Sequence, residues 1–194
     1  MAKLADFPEP MNVDQFLAFY DTRPDGEKWE LIDGELFMNA TPVSFHQLVV
    51  ANITHHLFDK LRNAGNLYRA SAGIGARLSD FSSVEPDVMV RPRDKFNGRN
   101  TQDIVVAFEV PSPSTRQNDL KFKRENYPAL PFLTHYVIVS AERVEVRVYA
   151  RSANWAESLL VTLTDEIRFE KLGITLPLAE IYDDMTDLLE TPAP

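Results

Sequence analysis

Along these 194 residues the spacing of hydrophobic and polar positions changes several times, and each change marks an element. The stretch "NVDQFLAFY" opens on Asn12, a residue that accepts hydrogen bonds from the first free amides of a helix, and predicts a short helix after it. In "WELIDGELFMN", two apolar-rich runs flank Asp33-Gly34, the dipeptide that supplies the positive φ angles of a tight hairpin turn. Val49, Val50, Ile53 and Leu57 then recur at helical spacing, predicting a long helix that Ser44 caps and that ends before Gly65. Strands are expected around residues 67–78, 84–91 and 104–110. A further helix is expected from about Arg116 to Tyr127, with Ser114 and Gln117 in capping-box spacing and Pro128 closing it. "THYVIVS" and "RVEVRVYAR" read as a hairpin, short strands continue to Leu176, and a last helix starts at about Leu178. This order predicts an α/β chain of mixed α+β character, a mixed sheet flanked by helices. No repeat or low-complexity linker interrupts it, so a single domain over 1–194 is expected, with short tails at 1–11 and 191–194.

Composition adds exclusions. The chain is 44% hydrophobic and 25% charged, as folded domains are, and it has no cysteine, which removes disulfides, thiolate metal sites and a cysteine nucleophile together. No run approaches the roughly 20 apolar residues of a membrane span. "MAKLADFPEPMN" lacks the apolar centre of a signal peptide, so a cytoplasmic protein without membrane association is expected. The net charge of -9 runs against nucleic-acid binding, which draws on Lys and Arg to neutralise phosphates. Its distribution changes that picture. Residues 91–124 hold eight Lys and Arg against four Asp and Glu, while residues 156–194 hold nine acids against two bases. The basic middle, with Arg91, Arg93 and Lys95 at its start, is either a solvated surface or a phosphate-binding one.

The chemistry gathers around "DIVVAFEVPSPST". Alternation along this strand sets Glu109 on one face with Val105 and Ala107, and Val106, Phe108 and Val110 on the other. A buried, unpaired carboxylate costs on the order of several kcal/mol, so Glu109 needs compensation. In "VEPDVMV", Asp87 likewise opens an apolar strand, and the offset of 22 positions between the two acids leaves room for a strand, a loop and a return strand. Two neighbouring carboxylates repel unless they share a proton or a cation. Mg²⁺ suits them: it takes one or two carboxylates and fills its octahedron with water and phosphate oxygens, so Asp87, Glu109 and the Val110 carbonyl form a suitable set.

The succession "ELIDGEL", a His opening a helix, "EPDVMV", "FEVPSPST" and then D-x-x-x-K-x-x-x-Y resembles the Uma-type restriction-endonuclease-like proteins of the PD-(D/E)XK nuclease superfamily, over nearly the whole chain. The resemblance implies a restriction-endonuclease-like central mixed sheet with helices on both sides and the metal-binding acids on two adjacent strands. Asp87 and Glu109 match the motif acids. The lysine that the superfamily places two residues after the glutamate is Pro111 here, which provides no ammonium, and the implied substitute is Lys123 on the following helix. Asp119, Lys123 and Tyr127 fall at i, i+4 and i+8, one helical stripe that either faces the carboxylates or is an ordinary surface pair. Glu30 either completes the metal shell, as the resemblance suggests, or faces solvent from the hairpin. His46 lies in the first turn of the long helix, either packed and hydrogen-bonded or near phosphate or bound water.

Other chemistries lack their residues. "AGIGARL" has neither the phosphate-loop lysine nor a dinucleotide fingerprint, and Ser112 and Ser114 have no His/Asp set for a serine hydrolase, so Ser112 is taken as shaping the helix entry. His55 and His56 have no metal spacing with His46. The expected function is a Mg²⁺-dependent DNA endonuclease, with Mn²⁺ as a substitute ion and no organic cofactor. Asp87, Glu109, Lys123 and Glu30 would carry catalysis, the basic segment would bind phosphates, and a homodimer follows by analogy. The alternative is a weak or inactive nuclease-fold module that binds DNA or regulates a partner. A third is an interaction protein using the acidic C-terminal segment.

Overall fold

The protein is seen here as a computed structural model that describes residues 2–3, 10–24, 26–39, 44–65, 67–95, 100–111 and 117–185, by backbone alone at 2–3, 95 and 117–119. In chain order the elements are β1 (Ala2–Lys3), α1 (Val13–Tyr20), β2 (Trp29–Ile32), β3 (Glu35–Met38), α2 (Ser44–Asn63), β4 (Tyr68–Ser71) and β5 (Gly75–Arg77). Then come β6 (Ser83–Val84), β7 (Val88–Pro92), β8 (Asn100–Thr101), β9 (Val106–Glu109), α3 (Gln117–Asn126), β10 (His135–Val139) and β11 (Val146–Ala150). The last are β12 (Glu157–Leu160), β13 (Glu166–Phe169), β14 (Ile174–Pro177) and α4 (Leu178–Ile181).

The strands divide between two six-stranded sheets, ordered β1-β3-β2-β6-β5-β8 and β12-β11-β10-β9-β7-β4, with β13 and β14 as a separate hairpin. Both sheets are mixed, since β5 runs parallel to β8 in the first and β9 parallel to β10 in the second. β7 runs antiparallel to β9 with Val88 opposite Phe108 and Val90 opposite Val106, and β9 runs parallel to β10. A parallel pair needs a crossover, which here contains α3. Within β9 the two faces separate by alternation, but Val105, just before the strand begins, packs on the α2 side and not on the side of Ala107 and Glu109 that its position predicts. Val106, Phe108 and Val110 pack with Val49, Ile53, Leu57 and Leu61 of α2, whereas Ala107 joins Met89, Tyr127 and Tyr136 on the side of α3. A third apolar group seats α1 against the first sheet through Val13, Phe16, Trp29, Leu31 and Leu36.

Local signals explain most boundaries. Asn12 caps α1 reciprocally with Gln15, and Gly65 follows α2 with φ +61°. α2 begins at Ser44 itself, one position earlier than a Ser44 cap implies. The two-residue strands β1, β6 and β8 were not expected, because alternation has no length in which to appear. β1 pairs with β3 from within the expected N-terminal tail. The C-terminal helix covers only four described residues; Ser114 and Arg116, and the chain from 186 onward, lie outside the described residues.

The Asp33-Gly34 turn is held on both sides. Gly34 N–H donates to the Phe81 carbonyl at 2.8 Å, and Met11 N–H donates to the Gly34 carbonyl at 3.0 Å. Gly34 has φ +82°, and a Cβ there would stand 2.5 Å from Pro10 Cβ. Gly34→Ala is therefore expected to lower stability by about 1–3 kcal/mol, read as a shifted urea midpoint.

His135 on β10 is buried with its ring edge-on to Phe169. Burial lowers its pKa, and the opposing pull of Glu170 is too weak to restore it. The folded value thus lies below the unfolded one of about 6.5, so stability is intact above that pH and falls as pH drops through it toward the folded value. Between pH 7.5 and 5.5 the urea midpoint of the wild type should fall more than that of His135→Gln.

Candidate active site

Extending the β7–β9 register one step past the Val88–Phe108 pair brings Asp87 beside Glu109. The contact is through the backbone, with Val110 N–H donating to Asp87 Oδ2 at 2.8 Å. His46, from the first turn of α2, closes the same corner: its Nδ1 lies 2.7 Å from the Val110 carbonyl and its Nε2 3.3 Å from Asp87 Oδ1. Both partners are acceptors, so the ring serves them best as an imidazolium. Its pKa is accordingly raised: burial pulls it down, and the hydrogen bond and charge of Asp87, helped by the Val110 carbonyl, outweigh burial. Asp87 answers in the opposite sense, since burial would raise its pKa but His46, Val110 N–H and Lys123 hold it low.

On the other face, α3 delivers Lys123, whose Nζ lies 3.0 Å from Glu109 Oε2 and 3.0 Å from Glu30 Oε1. Tyr127, one turn on, donates its hydroxyl to Glu109 Oε1 at 3.1 Å. Burial above all, then the charge of Glu109, pushes the Tyr127 pKa well up, which keeps the hydroxyl a donor. Glu30 on β2 is wholly buried, which rules out the solvent-facing hairpin position. Its Oε1 also accepts from Glu85 N–H at 2.8 Å, while Oε2 is buried with no hydrogen-bond partner among the described residues. Glu109 is thus compensated within the protein by Lys123 and Tyr127, a solution that the strand pattern alone could not distinguish from a metal ion.

The structure unites Asp87, Glu109, Val110, Lys123, Glu30, His46 and Tyr127 in one polar cluster linking both sheets, α2 and α3. Arg91 is a correction. It lies on β7 between β4 and β9, turns inward and is 1% exposed, so it does not offer its guanidinium to a phosphate at the surface. Arg93 is exposed but outside the cluster's contacts, whereas Ser112 and the side chains of Lys95 and Asp119 lie outside the described residues. Two participants were missed. Glu85 contributes the amide that holds Glu30, and Lys28 pairs with the Glu85 carboxylate at 3.2 Å. Their signal was the two-residue spacing of Lys28 from Glu30 and of Glu85 from Asp87, the period at which side chains return to one side of an extended chain.

The family model for Uma2, described as "Putative restriction endonuclease", matches residues 13–179. The chain belongs to the Uma2 family. A Synechocystis sp. protein, slr1290, described as uncharacterized, is 25% identical over 186 residues, 92% of this chain and 94% of that one. In structure, this Uma2 chain is similar to an Anabaena variabilis protein described as "a putative nuclease belonging to DUF820", with a TM-score of 0.72 at 13% identity, covering 89% of this chain and 98% of that one. That likeness establishes the restriction-endonuclease-like fold. No helix of the described residues is long and apolar enough to cross a membrane.

The donor set suits a hard divalent cation in kind: two carboxylates and a carbonyl from adjacent strands, with the unsatisfied Glu30 Oε2 buried nearby. The described residues contain no ready-made group of three or more His, Asp or Glu ligands. Mg²⁺ does not require one, since it commonly takes one or two carboxylates and keeps water for the rest.

Removing the ammonium should expose how much the cluster depends on it. Lys123→Met leaves two buried carboxylates facing each other and is expected to cost about 3–5 kcal/mol. Adding Glu30→Gln to that variant should recover part of the loss, measured by urea unfolding of both proteins in EDTA.

Proposed function

We propose that this Uma2 chain is a Mg²⁺-dependent endonuclease that hydrolyses phosphodiester bonds of DNA, with Mn²⁺ able to replace Mg²⁺. The observation that carries the reading is the meeting of Asp87 and Glu109 at the ends of adjacent strands with Lys123 from the crossover helix, 3.0 Å from Glu109. Asp87, Glu109 and the Val110 carbonyl, assisted by Glu30, would hold the cation. A bound cation of this kind lowers the pKa of its water and polarises a phosphoryl oxygen.

The chain's own groups do the rest. His46 fixes Asp87 and the Val110 carbonyl in one orientation through its two ring nitrogens. Tyr127 and Lys123 hold Glu109 from opposite oxygens. Lys123 is the group placed to orient an attacking water and to stabilise charge gathering on phosphate, the role that Pro111 cannot take. A homodimer would present two such sites to the two strands of a duplex.

A second reading has its own support. Pro111 stands where the superfamily lysine would be, and both Glu109 oxygens already have partners, as a binding module that has lost cleavage would show. Supercoiled-plasmid nicking, run beside calorimetric titration of Mg²⁺ and Mn²⁺, decides between them. The wild type is expected to bind metal and nick, and Asp87→Asn/Glu109→Gln to lose both while keeping its circular dichroism spectrum. DNA binding without nicking would assign the chain to the second reading.

A further inference from the structure

Lys123 is an unsuitable first contact for a phosphate arriving from solvent. Its side chain is 4% exposed and lies between two carboxylates. Arg91 is buried in its strand. Lys28 is different. Its side chain is 36% exposed, it pairs with Glu85 Oε1 at 3.2 Å, and Glu85 is joined to the cluster through the hydrogen bond that its N–H donates to Glu30 Oε1. The ammonium also lies in the field of Asp87 and Glu109, whose attraction with that of Glu85 overcomes the effect of burial on it. Among the cations that the described residues place within reach of these acids, Lys28 is the one open to solvent.

On the nuclease reading above, we infer that Lys28 receives a non-bridging phosphate oxygen of the substrate strand at the edge of the carboxylate cluster, and that Glu85 is the counter-ion that holds it there beforehand. A partly exposed Lys–Glu pair adds little to stability, so this placement serves better as a poised contact than as a brace. The ammonium is a compact point charge on a flexible stem and can move from a carboxylate to a phosphate by rotating its last bonds. It makes and breaks no covalent bond.

The two members of the pair separate the roles. A structural ion pair is lost equally whichever partner is replaced, whereas a phosphate contact is lost with Lys28 and freed by neutralising Glu85. The experiment measures anisotropy of a short labelled DNA duplex with wild type, Lys28→Ala, Lys28→Arg and Glu85→Gln, with Ca²⁺ in place of Mg²⁺, over a KCl series. Thermal melts check that each variant folds. Lys28→Ala should bind about tenfold more weakly, with the slope of log affinity against log salt reduced by about one. Lys28→Arg should retain most of the affinity, and Glu85→Gln should bind as well as wild type or better. Equal losses in Lys28→Ala and Glu85→Gln, or an unchanged salt slope in Lys28→Ala, would overturn the inference. If wild type nicks plasmid while Lys28→Ala binds normally, only the role of Lys28 falls. If wild type neither binds nor nicks DNA, the nuclease reading falls and this inference with it.

Discussion

An ammonium buried between two buried carboxylates ties this molecule together. Lys123 reaches Glu109 on one sheet and Glu30 on the other, 3.0 Å from each, so a single charged group spans the junction of two sheets and the helix that connects β9 to β10. Such an arrangement is stable only while every partner is present, because each charge was taken out of water on the strength of the others. The apolar packing on either side positions the elements. The ion cluster then makes their relative placement specific.

His46 performs a similar service on the opposite face. Its two ring nitrogens grip the Asp87 carboxylate and the Val110 carbonyl, while Val110 N–H returns to Asp87. Side chain and backbone are thereby locked into a ring of hydrogen bonds. Pro111 follows immediately and has no N–H of its own to place, so the backbone that presents Val110 is set from the preceding residue and from α2.

The basic segment at 91–124 does not turn all of its charge toward solvent. Among the described residues, Arg91 and Lys123, both counted among the bases that made residues 91–124 look cationic, are buried. Charge counted along a sequence ignores which way strands turn their side chains, and here it credited solvent with groups that the core uses. Lys28, more than fifty residues earlier in a part of the chain with no basic bias, is a partly exposed cation beside the cluster.

Much was nevertheless legible in the chain itself. Asn12 and Gln15, Asp33-Gly34, Gly65 and the α2 stripe are local signals, and each produced its element because capping, turn geometry and helical periodicity act over a few residues. The alternation of residues 106–110 also separated the two faces of β9, though Val105, outside the strand, packs on the face opposite to the one assigned, and the ordered motifs pointed to the family to which the chain belongs. Tertiary structure decided the rest. Only folding could show that Glu30 is wholly buried, that Arg91 points inward, that Glu85 offers its amide to Glu30, and that Glu109 finds Lys123 and Tyr127. Those outcomes depend on which strands become neighbours and how far each side chain sits from water, and burial and pairing across 14 to 93 residues of chain leave no periodic trace in a sequence.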